Sequence, residues 1–251
     1  CGMVIWPFLA RPYSFATRVL LRWGEEINGV NKIYRKLPVI TVLGSCRQDS
    51  LYSLFQVSKV RNGLTYPHYA NEILQLVRFL KGGIRKFNSP YVFRNDSIGQ
   101  KRLSGRAARS AYKSTDVFVL EIASRYEYQH SGEFIHHVAF DNPELLPSKL
   151  RDEQALEKIE RRKQSFAELR QVLDEVSFEL RGKSLVIVTN ISTQSGSERQ
   201  KLNTFLSNYA INMGFGFFDP TVLLQEYALE ELCLIEPVIS HFTDFGHEVV
   251  G

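Results

Sequence analysis

Pro38-Val-Ile-Thr-Val-Leu-Gly44-Ser45-Cys46-Arg47-Gln48 is the stretch that decides the fold. Its first half is a short, largely apolar run rich in β-branched residues, the pattern of a strand buried on both faces of a parallel sheet. Gly44 ends the run. Behind the turn, Leu51, Leu54 and Phe55 recur at helical spacing, so the segment reads as strand, tight turn and helix.

Working outward, Val57 to Val60 reads as a second strand closed by the turn signal Asn62-Gly63. From His68 to Leu80 the spacing of Ile73, Leu74, Val77 and Leu80 predicts a helix stopped by Gly82-Gly83. Residues 84–106 are basic, polar and turn-rich and are expected to form a surface excursion. Asp116-Val-Phe-Val-Leu-Glu-Ile-Ala123 is the second clear buried strand. Residues 126–150 lack a sustained period and are expected to form a loop or lid. Asp152 to Arg181 carries one apolar stripe and predicts a single long amphipathic helix. A strand at Ser184–Thr189, a helix at Ser197–Met213 opened by a Ser cap, and a short strand at Phe215–Phe218 follow. Pro220 to Leu232 reads as a helix, and Thr243 caps a last one. This alternation predicts α/β architecture with right-handed crossovers and a mostly parallel sheet.

A chain of 251 residues with 44% hydrophobic content can bury one sizeable core. Residues 37–251 are therefore read as one domain, preceded by an amphipathic segment at 1–36. Residues 3–24 of that segment are apolar and then basic, which suits packing on the domain or peripheral contact with a membrane surface. The 31 basic and 27 acidic residues leave a net charge of only +4, which does not argue for a nucleic-acid partner. Three widely spaced cysteines fit neither a disulfide framework nor a zinc site, so a reducing, cytoplasmic setting and no metal are expected.

In an open parallel sheet, ligands bind beyond the carboxyl ends of the strands. The residues at those positions are Ser45-Cys46-Arg47, Asn62-Gly63, Ser124-Arg125, Asn190 and Asp219. Cys46 is the strong nucleophile among them, and Arg47 beside it favours the thiolate. A cysteine nucleophile needs an imidazole to accept and return its proton. His241 and His247 lie in the chain's tail, which can return to the active edge. His68 reads as a residue near a helix start, and His130, His136 and His137 as loop residues. Cys233 reads as a packing residue.

Gly44-Ser45-Cys46 resembles the first block of the SGNH, or GDSL-like, hydrolase superfamily, with cysteine in the nucleophile's place. His241-Phe-Thr243-Asp-Phe-Gly246-His247 resembles the last block, a catalytic histidine followed by a small polar cap and, five residues on, a glycine. The cysteine is similar to that of two branches, the Gly-Ser-Cys-Phe-Ala family and the capsule-polysaccharide acetyltransferases. The resemblance implies a three-layer α/β/α, flavodoxin-like domain with a five-stranded sheet. It also implies acyl transfer through an acyl-Cys46 intermediate with His241 as base, or His247 oriented by Asp244. Ser45, Arg47, Asn62, Gly63 and Ser124 would form the oxyanion and substrate site. The acidic partner usually found three residues before the histidine is replaced by Val238, which leaves a Cys-His dyad. The implied reaction moves an acetyl group from acetyl-CoA or another acyl thioester to a saccharide, with no permanently bound cofactor. Arg47, Arg61 and Arg125 are candidates for holding a phosphorylated donor. An esterase or thioesterase is the alternative chemistry, and a non-catalytic carbohydrate-binding module the alternative class.

Overall fold

A computed structural model describes residues 38–48, 56–57, 66–92, 104–235 and 239–250. The predicted amphipathic segment at 1–36, the helix expected after Cys46, and Asn62, Gly63 and Arg61 lie outside the described residues.

The chain is mixed α/β around a parallel sheet. Strand β1 (Val39–Leu43) pairs on one side with the two-residue β2 (Gln56–Val57). On its other side it pairs with β3 (Val117–Glu121), which pairs in turn with β7 (Ser184–Val188), and β7 with β8 (Gly216–Phe218). The chain moves outward from β1 to β2 and then returns to β1's opposite side, so the strand order reverses at β1. A crevice between the ends of neighbouring strands opens at such a reversal, and here it falls between β1 and β3.

Between these strands run α1 (Ala70–Lys81), α2 (Gly105–Ser114), α5 (Phe166–Glu179) and α6 (Glu198–Met213). Their buried side chains join one cluster with Leu43, Phe118, Leu120, Leu185 and Ile187, the residues of one sheet face. Ile40, Val42, Val119 and Val188 alternate with them and form a separate buried cluster on the other face. This two-sided burial is why the strands read as largely apolar runs. Gly82 ends α1 in the left-handed region at φ 89°, where a side chain would be strained. Ser197 caps α6 by accepting from Gln200 N–H.

Four expectations are corrected. The 84–106 stretch is not a surface excursion throughout, because Phe87, Tyr91 and Val92 are buried in the main core and Ser104 caps α2. Residues 126–150 are not a plain loop. They begin with β4 (Tyr126–His130) and β5 (Glu133–Phe134), which form an antiparallel sheet with β6 (Glu160–Lys163), and continue through the one-turn α3 (Val138–Asp141). The 152–181 helix is broken: α4 (Glu153–Leu156) is one turn, β6 follows, and α5 starts afresh at a capping box formed by Ser165 and Glu168. Beyond β8 the expected helix from Pro220 to Leu232 is instead a 3₁₀ helix, Pro220–Gln225, and the one-turn α7 (Leu229–Leu232), followed by the antiparallel strands β9 (Cys233–Ile235) and β10 (Ile239–Phe242), and α8 (Asp244–Val250). Among the described residues no helix is long and apolar enough to cross a membrane.

Candidate active site

Beyond β1 the chain turns through Gly44 and Ser45 into one 3₁₀ turn, Cys46–Gln48, closed by Gln48 N–H donating to Ser45 O at 3.1 Å. The turn is held by a charged residue in the middle of the sheet. Glu121, the last residue of β3, is fully buried. Its Oε2 accepts from Ser45 N–H at 2.7 Å and from the Ser45 hydroxyl at 2.6 Å. Arg47 Nη1 lies 3.7 Å from Oε1 and donates to Asn190 Oδ1, beyond β7, at 3.2 Å. A carboxylate buried this deeply is tolerated because cation and donors converge on it.

Gly44 belongs to the same arrangement. A Cβ built there would lie 2.6 Å from Glu121 Cβ and 3.0 Å from Oε2, so only glycine lets the carboxylate lie across the turn. The network continues sideways, with Asn203 Nδ2 donating to Asn190 O at 2.8 Å and to Asp219 Oδ2 at 3.1 Å. The ends of β1, β3, β7 and β8 are thereby tied into one polar layer.

Two side-chain amide donors in this layer have no partner among the described residues. Asn190 Nδ2 and Gln48 Nε2 are buried and unpaired, on residues 4% and 2% exposed. Buried amide N–H groups without acceptors cost about 1–3 kcal/mol each, a cost that an oxygen acceptor placed there would relieve. Arg199 adds a half-buried guanidinium, which donates to Ile191 O at 3.2 Å. Burial, and then the Arg47 charge, lower its pKa from the ordinary arginine value.

The C-terminal strands close over this edge. β10 runs alongside the Cys46–Gln48 turn, with Cα atoms of the two segments within 8 Å. It carries His241 on its exposed side, while Phe242 is buried with Leu232, Cys233, Ile191 and Leu223. The β9–β10 register shifts between Ile239 and His241, which leaves Ser240 as an extra residue. Thr243 then caps α8 by accepting from Gly246 N–H at 2.9 Å, as the sequence predicts. His247 is half-buried on α8, its ring edge-on to Phe242 with centroids 5.6 Å apart. Asp244 is exposed at the first position of the same helix.

The other predicted residues fall as follows. Ser45 and Arg47 are in the layer, where the Ser45 N–H is given to Glu121 rather than to the open cleft. Ser124 N–H donates to His68 O at 3.1 Å, and its hydroxyl oxygen accepts from Tyr126 N–H at 2.9 Å. Arg125 is paired with Glu198, donates to Gln164 O and stacks over Phe166 at 4.1 Å, a structural role. Cys233 is buried at the start of β9 rather than in a helix; burial pushes its thiol pKa up against the opposing pull of Arg47 and Arg199. Glu121, Gln48 and Arg199 have no place in the sequence-derived site. The only signal for Glu121 is a charge closing an otherwise apolar strand. A separate cleft of about 510 Å³, lined by Gly82, Ile84, Arg85, Gly105 and Arg109, contains no nucleophile.

No family model matches the chain, and no curated protein or solved structure matches it either.

Proposed function

We propose that the chain is an acyltransferase that works through an acyl-Cys46 intermediate with His241 as proton carrier, on a three-layer, flavodoxin-like, five-stranded sheet. The observation that carries this reading is the course of β10, which brings the segment bearing His241 alongside the Cys46 turn at the β1/β3 crevice. The unpaired amides of Asn190 and Gln48 and the similarity of Gly44-Ser45-Cys46 to the cysteine branch of SGNH hydrolases support it.

In this mechanism His241 takes the Cys46 thiol proton, and the thiolate attacks the carbonyl carbon of an acyl thioester. The carbonyl oxygen becomes an oxyanion facing amide donors, with Asn190 Nδ2 and Gln48 Nε2 suited to that role. Collapse of the tetrahedral species breaks the donor's C–S bond, and the departing thiol takes the proton back from His241. A saccharide hydroxyl, deprotonated by the same imidazole, then attacks acyl-Cys46. The ester forms and Cys46 leaves as thiolate and is reprotonated. Exposure of His241 gives an acceptor access to the base, and Arg47 and Arg199 supply positive charge for a phosphorylated donor such as a coenzyme A thioester. A working thiol favours a reducing, cytoplasmic setting. Water as acceptor turns the same site into a thioesterase or esterase.

Incubation of the purified chain with acetyl-CoA, followed by intact-mass and peptide mass spectrometry, tests the proposal. The expected result is one acetyl group on Cys46, lost in Cys46→Ala and strongly slowed in His241→Gln. Absence of acylation with acetyl, propionyl and longer acyl thioesters rejects it.

A further inference from the structure

Three histidines from two distant parts of the sequence meet beside the sheet edge. His68 precedes α1, and His136 and His137 follow β5. Their rings pack edge to face or tilted, with centroids 4.3 Å apart for His68 and His137, 4.6 Å for His136 and His137, and 5.5 Å for His68 and His136. One ring nitrogen of each lies within 4.8 Å of the others. We infer that this cluster is a binding site for a divalent transition-metal ion of the zinc class, held by His68, His136 and His137.

The surroundings are those of a metal site as well as of a packed cluster. His137 Nδ1 is 3.0 Å from Asp141 Oδ2, a contact that fixes the ring and leaves Nε2 as the ligating nitrogen. A carboxylate behind a ligating histidine is a recurrent second layer of zinc sites. Asp141 is itself held by the Tyr128 hydroxyl, which donates to both carboxylate oxygens at 3.2 and 3.0 Å. The main chain anchors the ligands: Ala123 N–H and Ser124 N–H donate to His68 O, and His136 N–H donates to Tyr91 O. Three neutral imidazoles suit zinc, copper, nickel or cobalt and exclude calcium and magnesium, which take oxygen ligands.

Geometry sets the adjustment required. With zinc–nitrogen bonds of about 2.05 Å in a tetrahedron, ligand nitrogens stand roughly 3.3 Å apart, so the side chains must close by up to about 1.5 Å. Two of the residues, His68 and His137, are only half-buried. His136 is buried, and Val138 N–H donates to its Nδ1 at 3.2 Å. That long bond is what an ion displaces, whichever His136 nitrogen it takes. Three protein ligands leave a fourth position for water or a substrate oxygen.

The test is isothermal titration of the full, chelator-treated chain with zinc chloride, together with the visible spectrum of the cobalt(II) form. The expected result is one ion per chain, with the absorption bands of four-coordinate cobalt. His68→Gln and His137→Gln should each weaken binding by at least about 10-fold, and Asp141→Asn by about 10-fold through its effect on His137. His241→Gln should bind as the unmodified chain does, which separates this site from the proposed acyl-transfer site. Circular dichroism on the two half-buried variants separates lost ligation from lost folding. Failure to bind one ion per chain at micromolar zinc, or binding unchanged in folded His68→Gln and His137→Gln, overturns the inference.

Discussion

Replacing Gly44 by alanine isolates the clamp under the Cys46 turn. The backbone at Gly44 is not in the left-handed region, so the substitution meets no conformational penalty of its own. The whole cost comes from the new Cβ, which would stand 2.6 Å from Glu121 Cβ and 3.0 Å from Oε2. Overpacking of this kind costs about 1–3 kcal/mol. Glu121→Gly removes the obstacle, Cβ and carboxylate together, but leaves Arg47 without its carboxylate and the Ser45 N–H and hydroxyl without their acceptor, at about 3–5 kcal/mol. Taken independently, the two changes would sum to about 6 kcal/mol near mid-range. In the double variant the alanine at 44 has no side chain to strike, so the loss stays near that of Glu121→Gly alone, with a coupling of about 2 kcal/mol. Urea denaturation of the four proteins, followed by far-ultraviolet circular dichroism, measures it. Single-variant losses that add within about 0.5 kcal/mol would refute the claim that Gly44 is required by Glu121.

Asn190→Ala should slow acylation of Cys46 by about 10²-fold and cost about 1.5–3 kcal/mol of stability, because Arg47 loses its Oδ1 acceptor; a rate within a factor of about three excludes Asn190 as an oxyanion donor. Phe87→Ala should cost about 3–5 kcal/mol, since the ring is buried with its centroid 5.4 Å from that of Phe79; a loss below about 1 kcal/mol in urea denaturation would contradict its core assignment. Burial pushes the Asp141 carboxyl pKa up, but hydrogen bonds from His137 and Tyr128 outweigh it and hold the group below its usual range. Its stabilisation is therefore present above the unfolded-state pKa near 4 and is lost as pH falls through the lower folded-state value, so Asp141→Asn should flatten the acid limb of a stability–pH curve measured by thermal melts.

The parallel strands were readable because burial on both faces selects mainly apolar, β-branched residues, as in Val39–Leu43 and Ser184–Val188. Helix ends were readable where a single residue decides them, as with Gly82, Ser197 and Thr243. The antiparallel β4–β6 sheet was not, because it holds together through polar and cationic contacts. Arg161 stacks over Tyr126 at 4.1 Å, and Arg162 pairs with Glu127, so no apolar alternation marks its strands. The break before α5 was hidden for a related reason: the apolar stripe runs on in register across β6, and only Ser165 with Glu168 marks the new start. Helix α2 buries only Ala108 and Ala111, too small a stripe to stand out from its charges. At the site, the strand-end position of the Cys46 turn followed from Gly44 alone. Asn190 followed from its place just past a strand, whereas Glu121 and Arg199 meet the turn through contacts many residues away, which spacing along one chain does not encode.

The Ser45–Glu121 hydrogen bonds join residues 76 positions apart. At synthesis rates of about 5–20 residues per second, roughly 4–15 s separate the emergence of the serine from that of its acceptor. During that interval the first strand has neither its inner neighbour nor the anion that fixes its exit, so on the ribosome the Cys46 turn takes shape only after β3 has been made.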